Sequence, residues 1–168
     1  MDNAGAVLVR LAVPGDALGM IANVQSIAQE GIYLATERAP WSLQQLEQML
    51  WENGQHQQIL VAEVDGQVVG DLWLVRGRLT KSRHTATIGM SVIAGYRGRG
   101  LGRSLLTEAI TRARDWGVEK LVLSVFSSNL AAIGLYRSLG FLEEGRRVRQ
   151  YRLTVGDVDE VIMAKWLV

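Results

Sequence analysis

The chain has no cysteine, only two prolines, two histidines and two phenylalanines, and its 18 basic residues nearly cancel its 17 acidic ones. Without cysteine there are no disulfides, no thiolate metal ligands and no cysteine nucleophile. The two histidines, His56 and His84, stand far apart in sequence, so no metal site is expected. A formal net charge of +1 gives no global field that would draw nucleic acid or an acidic surface. No apolar run approaches the roughly 18 residues that argue for a membrane span. The start Met1-Asp2-Asn3-Ala4 carries no basic leader, and Arg10 breaks the apolar run Val7 to Val13. A cytoplasmic protein with no signal peptide and no membrane partner is therefore expected. No repeat, linker or low-complexity segment interrupts the 168 residues, which suggests one domain over 1–168 with enough chain for a real core.

What the chain does have is glycine, concentrated where it matters in Val92-Ile93-Ala94-Gly95-Tyr96-Arg97-Gly98-Arg99-Gly100-Leu101-Gly102-Arg103. A strand pattern runs into this stretch and an amphipathic helix leaves it. Such a junction presents unpaired backbone N–H groups and the positive end of a helix dipole to one point, where an anion, above all a phosphate, is stabilised. The spacing excludes two phosphate-binding classes. Gly98 and Gly100 are followed by Arg103 where a dinucleotide fingerprint needs its third glycine, and no Gly-Lys-Ser or Gly-Lys-Thr exists for a P-loop. The glycines alone are equally compatible with a plain tight turn.

The rest of the chain alternates strand and helix patterns. Val7 to Val13 reads as a strand closed by Pro14-Gly15, with Asp16 then capping a helix that carries Met20, Ile21, Val24, Ile27 and Ala28 up to Gly31. Ser42 and Gln45 form a capping box for a second helix with Leu43, Leu46, Met49 and Leu50. Ile59 to Val64, Asp65-Gly66 and Gln67 to Val75 predict a hairpin with a type I′ turn. The four basic residues of the Arg76 to Arg83 loop read as solvated. In the next strand Ala86, Ile88, Met90 and Val92 share one face, while Thr85, Thr87, Gly89 and Ser91 make a face of small and hydroxyl residues with room for a ligand. Leu101, Leu105, Leu106, Ala109, Ile110 and Ala113 form a helical stripe, and Lys120 to Phe126 is a nearly continuous apolar strand expected to be buried on both faces. Asn129 caps a further helix ending at Gly140, and Arg146 to Thr154 with Val161 to Leu167 reads as a closing hairpin. Arg147 and Arg149 would share one face of that hairpin and Arg146 and Arg152 the other, so they make no single basic stripe and no nucleic-acid partner is expected.

Two motifs, Arg97-x-x-Gly100-x-Gly102 after a strand ending at Val92 and Asn129-x-x-Ala132-x-x-Leu135-Tyr136-x-x-Leu139-Gly140-Phe141, lie about thirty residues apart. Together they resemble the GNAT superfamily of N-acetyltransferases. Glu143-Glu144-Gly145 and Gly156-x-x-Asp159-x-x-x-Met163-Ala164 are similar to members that acetylate free amino acids, antibiotic-like amines or ribosomal-protein N-termini. The resemblance implies an α/β (α+β) GNAT fold: a central, mixed, mostly antiparallel sheet with a splayed parallel strand pair and about four flanking helices. It implies acetyl-coenzyme A as donor, a primary amine of an amino acid or other small molecule as acceptor, direct attack on the thioester, and in many members a homodimer, for which Trp41, Trp51 and Trp166 offer apolar surface. A protein N-terminus as acceptor, or an acetyl-coenzyme A sensor without turnover, are the alternatives.

The implied site follows the motifs. Arg97, Gly98, Arg99, Gly100, Leu101, Gly102 and Arg103 would bind the pyrophosphate, with the backbone N–H groups from Gly98 to Arg103 doing the holding. The backbone of Val92 would meet the thioester carbonyl, Asn129 the pantetheine arm or neighbouring backbone, and Tyr136 the sulfur. A tyrosine with a reference pKa of about 10 can serve a departing thiolate of about 8.5. For the base, the small-residue face before the loop offers no carboxylate. Glu37, in Thr36-Glu37-Arg38-Ala39-Pro40, resembles the acceptor-side loop of antibiotic-amine acetylating members and is the first candidate, with His84, Asp71 and Glu30 behind it. Deprotonating an α-amine at pH 7 costs about 1 kcal/mol and a lysine-like amine roughly 4.6 kcal/mol, so an α-amine needs the base less.

Overall fold

The computed structural model describes residues 6–54 and 56–168. Its strands are β1 (Val7–Leu11), β2 (Gln57–Val64), β3 (Gln67–Arg76), β4 (Thr85–Val92), β5 (Lys120–Phe126), β6 (Leu142–Leu153) and β7 (Gly156–Trp166). They form one sheet in the order β1-β2-β3-β4-β5-β7-β6. Every neighbouring pair is antiparallel except β4 and β5. The helices are α1 (Ala17–Gln29), α2 (Leu43–Trp51), α3 (Leu101–Asp115) and α4 (Leu130–Ser138). None of the described helices is long and apolar enough to cross a membrane.

Local chemistry accounts for most of these boundaries. Asp65 and Gly66 take φ of 51° and 80°, the left-handed pair that a type I′ turn requires between β2 and β3. Ser42 Oγ accepts from the Gln45 N–H at 3.2 Å while Gln45 Oε1 accepts from the Ser42 N–H at 2.8 Å, closing the capping box of α2. The period-2 pattern then sorts the strands onto two layers. Leu60, Leu72, Leu74, Ala86 and Ile88 face the stripe Leu101, Leu105, Leu106, Ala109 and Ala113 of α3, and Ile133 and Tyr136 of α4 join that core. On the opposite face Ile59 and Val61 pack with Met20 of α1 and Leu46 and Leu50 of α2 in a smaller cluster. Full burial of one leucine is worth roughly 1.5–3 kcal/mol, so α3 with its three buried leucines is a rigid wall.

Four expectations are corrected. Asp16 precedes α1 but its side chain does not cap that helix; it accepts from Arg10 Nη1 and Nη2 at 2.7 and 2.8 Å and from the Val13 N–H at 2.8 Å, at the start of the short turn before α1. A charged partner outcompetes the local cap. β5 is fully buried only on the face of Leu121, Leu123 and Val125, because α1 and α2 cover the β2–β3 half of the second layer and leave Ser124 exposed and Val122 half-buried; on that second face only Phe126, against Tyr151, is buried. In β6 the alternation of the arginines breaks at bulges, one of them around Arg149, whose φ is 52°. Arg146, Arg147, Arg149 and Arg152 each pair with a carboxylate of Glu143, Asp157, Asp159 or Glu160. Trp41 is not free surface: its ring stacks on Trp73 at 4.7 Å and 7°.

The feature that builds the site is the incomplete β4–β5 pairing. Only Thr85, Ala86 and Thr87 pair with Lys120, Leu121 and Val122. Beyond them β5 follows β7 as far as Phe126 opposite Glu160, whereas β4 follows β3 as far as Val92 opposite Gly70. The two strands diverge, and a gap opens toward their C-terminal ends.

Candidate active site

A cleft of about 370 Å³ occupies that gap. Its floor is the end of β4 (Met90, Ser91 and Val92), one wall is the loop and first turn of α3, the facing wall is α4, and Ile27, Tyr33 and Leu34 close it from the side of α1.

The end of β4 points a main-chain donor into the gap. The Ile93 N–H donates to the Val69 carbonyl at 3.0 Å, so the neighbouring Val92 and Gly70 form a wide pair of the antiparallel ladder. The Val92 N–H therefore turns away from β3, toward the side on which β5 has already left. A Cβ at Gly70 would lie 2.9 Å from the Ser91 carbonyl oxygen, so the close approach of β3 here needs glycine.

The loop to α3 supplies the second set of donors. Gly98 and Gly100 have φ of 74° and 84°, and Gly100 is the N-cap residue. The first N–H to close a helical bond is that of Ser104, onto the Gly100 carbonyl at 3.0 Å. The N–H groups of Leu101, Gly102 and Arg103 have no such partner and no acidic side chain stands in the first turn, so the helix start is free to take an anion.

Arg97 plays a different part from the one its motif position suggests. Its guanidinium is held by Glu30 through two 2.7 Å bonds, donates from Nε to the Val92 carbonyl at 2.8 Å and lies 4.3 Å from the Tyr33 ring centroid. It ties the loop, the end of β4 and the end of α1 together, and its charge is already matched. Glu30 is correspondingly held below the ordinary carboxylate range by the Arg97 hydrogen bonds, with burial opposing. Arg103 donates to Ser138 Oγ at 2.8 Å, bridging α3 to α4, and Arg99 packs over Tyr96 outside the cleft.

On α4, Asn129 Oδ1 accepts from the Ala132 N–H at 3.2 Å. That is the N-cap bond, and it leaves the Asn129 amide NH₂ on the cleft wall. Tyr136 is 6% exposed, and burial pushes its phenol up to about 12. Its hydroxyl has no hydrogen-bond partner among the described residues, yet the residue lines the cleft. A buried tyrosine usually finds a partner for its hydroxyl; this one, on the cleft wall, has none among the described residues.

Of the sequence-derived site, Val92, Arg97, Gly98, Gly100, Leu101, Gly102, Arg103, Asn129 and Tyr136 meet in the cleft. Glu37 does not: it is exposed in the loop before α2, outside the lining. His84, at the far end of β4, is also outside it. Tyr33 and Leu34 were missed, since an irregular segment carries no periodic signal, and Ser91 was legible only as part of a small-residue face. Among the described residues no cluster of ligands fit for a metal ion occurs.

Residues 28–141 match the acetyltransferase (GNAT) family. The chain belongs to the GNAT family. The L-amino acid N-acetyltransferase AaaT of Escherichia coli is 35% identical over 63% of this GNAT chain and 66% of its own length. The [ribosomal protein bS18]-alanine N-acetyltransferase of the same organism is 45% identical over 45% of this chain and 51% of its own length. The matched span thus covers less than two thirds of these curated relatives. The structure of yncA from Salmonella typhimurium with its cofactor acetyl-CoA superposes with a TM-score of 0.87 at 22% identity, covering 97% of this chain and 95% of that one, which shows the shared fold.

Proposed function

We propose that this GNAT protein transfers the acetyl group of acetyl-coenzyme A to the primary amine of an amino acid or another small molecule by direct attack on the thioester. The observation that carries the reading is the convergence in one cleft of three helix-start N–H groups, the outward-turned Val92 N–H and the Tyr136 hydroxyl, the helix-start groups and the hydroxyl having no partner among the described residues. These donors fit a ligand with a diphosphate at one end and an acyl thioester at the other, and the Asn129 amide, on the wall of the same cleft, is a further donor for the amides of the connecting arm.

Acetyl-coenzyme A supplies the activated acyl group. The chain supplies position and charge stabilisation. The N–H groups of Leu101, Gly102 and Arg103 hold the diphosphate against the helix dipole. The Val92 N–H hydrogen-bonds the thioester carbonyl and strengthens that bond as negative charge grows on the oxygen, an effect worth roughly 2.7–4 kcal/mol for one preorganised donor. The Tyr136 hydroxyl donates to the sulfur as it leaves. With its pKa raised to about 12 the phenol keeps its own proton and acts as a fixed hydrogen-bond donor to the thiolate, which then collects the surplus proton of the acylated nitrogen. No group has to be a covalent nucleophile.

The 35% identity to an L-amino acid N-acetyltransferase supports a free α-amine as acceptor. The 45% identity to a ribosomal-protein-alanine enzyme supports a second reading, the N-terminal amine of a protein, which presents the same chemical group. Thiol release from acetyl-coenzyme A in the presence of the twenty L-amino acids, simple amines and alanine-terminated peptides distinguishes the two. A sensor binds acetyl-coenzyme A and releases thiol with none of them.

A further inference from the structure

We propose that Asp71, acting through the hydroxyl of Ser91, accepts the proton that the acceptor ammonium must lose, an assignment that rests on the amine-acetylating reading of the cleft. Asp71 on β3 and Ser91 on β4 are opposite each other in the ladder. Ser91 lines the cleft one residue before Val92, so a nucleophile approaching a carbonyl held at the Val92 N–H passes the Ser91 side chain. Ser91 Oγ donates to Asp71 Oδ1 at 2.5 Å, which leaves the oxygen's lone pairs free to accept from an ammonium N–H.

Asp71 itself is 4% exposed and has no cation partner among the described residues. Its second oxygen accepts from Trp73 Nε1 at 2.7 Å. A buried carboxylate without a cation is expensive to keep ionised, and two donors alone would be served as well by the carbonyl of an asparagine. Burial pushes the Asp71 carboxyl up, with the Ser91 and Trp73 hydrogen bonds opposing. That moves it toward the range in which a carboxylate can hold a proton taken from an amine. Among the described residues its partners and ladder neighbour are uncharged: Val61 opposite it on β2, Trp73 on its own strand and Ser91 on β4; α1, which packs on β3, buries only Ala17, Met20, Asn23, Val24 and Ile27. Trp73 in turn stacks on Trp41, in the segment that supplies Tyr33 and Leu34 to the cleft, so the relay is held from the acceptor side as well. Glu37 is outside the cleft and Glu30 is committed to Arg97.

The step balances. One ammonium N–H bond breaks as its proton passes to Ser91 Oγ, while the proton of Ser91 passes to Asp71 Oδ1. The freed nitrogen lone pair forms the C–N bond, the C–S bond breaks, and its electron pair leaves on sulfur. The second surplus proton of the nitrogen goes to that sulfur, and Asp71 returns its proton through Ser91 to water once the product has gone. Ser91 touches the amine; Asp71 is the positioning residue and proton store behind it.

The test is the pH profile of kcat/KM, for acetyl-coenzyme A and whichever of the twenty L-amino acids is turned over fastest, in the wild type, Asp71→Asn and Ser91→Ala. Asparagine can satisfy Trp73 with its carbonyl and donate its NH₂ to Ser91, so the variant keeps the fold's hydrogen bonds. Ser91→Ala, which leaves Asp71 untouched, covers the case in which Asp71→Asn does not fold. The expected result is a loss of about 100-fold at pH 7 that shrinks to under about tenfold as the pH passes the pKa of the amine, where the acceptor deprotonates by itself. A loss of equal size at every pH, or one of less than about threefold throughout, overturns the assignment. If the wild type acetylates neither an amino acid nor a simple amine, the acceptor reading fails, and ¹³C NMR of aspartate-labelled protein still tests the Asp71–Ser91 pair. Asp71 should then titrate above the other aspartates and move further up in Ser91→Ala. Titration among the ordinary aspartates, or indifference to Ser91, overturns it.

Discussion

Replacing Gly100 separates backbone strain from charge at the heart of the cleft. The residue sits at φ 84° as the N-cap of α3, and a Cβ there would meet nothing within 4 Å. Gly100→Ala therefore brings no clash and only the left-handed backbone penalty, about 1–2 kcal/mol. At roughly 2–4 °C per kcal/mol for a chain of this size, that lowers the melting temperature by about 2–8 °C and leaves cofactor affinity within about threefold. Gly100→Asp tolerates the left-handed conformation better than alanine but sets a carboxylate beside the three free N–H groups. At about 6 Å from a diphosphate of charge near −2, repulsion is about 1.4 kcal/mol at the dielectric of water and about twice that at half the dielectric. Affinity for acetyl-coenzyme A should then fall roughly 10- to 100-fold, and the loss should diminish in high salt. Isothermal titration of the two variants in low and high salt is the assay. Equal affinity losses in both variants, or an unchanged affinity in Gly100→Asp, would refute the diphosphate site at the α3 N-terminus.

Further outcomes follow from the same geometry. Tyr136→Phe removes a hydroxyl with no partner among the described residues, so stability should be unchanged and acetyl-coenzyme A affinity held within about twofold, while kcat falls roughly 10- to 100-fold; a kcat within threefold of wild type removes Tyr136 from the reaction. Glu30→Gln releases Arg97 from a partly exposed pair worth about 1 kcal/mol, and should lower the melting temperature by a few degrees at neutral pH. Because Glu30 titrates below its ordinary value in the folded chain, its contribution is present above the unfolded pKa and lost as the pH falls through the folded one; a wild-type and Glu30→Gln difference that persists at pH 2 contradicts this. For Asp16 burial opposes ionisation, but the bonds from Arg10 and the Val13 N–H prevail and hold the carboxyl low. Asp16→Ala leaves those donors stranded and should cost about 2–4 kcal/mol in urea unfolding at pH 7, with a smaller difference in acid; a loss under 0.5 kcal/mol would show that the Arg10–Glu63 contact suffices.

Much of the fold and of the cofactor side of the cleft was legible because it is written in short-range chemistry. The type I′ turn at Asp65-Gly66, the capping box of Ser42 and Gln45, the Asn129 cap and the glycines before α3 each act within a few residues, and the structure realises each of them. What escaped is long-range. Asp16 looks like a cap until Arg10 comes back from β1, and Arg97 looks like a phosphate ligand until Glu30, 67 residues away, claims its guanidinium. Trp41 looks like free apolar surface until its ring stacks on Trp73. The irregular segment after α1, which supplies Tyr33 and Leu34 to the cleft, carries neither period nor cap to distinguish a site residue. Glu37 looks like a site residue by its neighbours in sequence but stands outside the cleft, whereas the buried Asp71 is bonded to Ser91, which lines it.

The most direct test of the account is acetyl transfer itself: thiol release from acetyl-coenzyme A with mass detection of the acetylated product, run across the twenty L-amino acids, simple amines and alanine-terminated peptides. The account predicts an N-acetylated primary amine formed one for one with free thiol, and loss of that product in Tyr136→Phe. Tight binding of acetyl-coenzyme A with no acetylated amine in any reaction would contradict it.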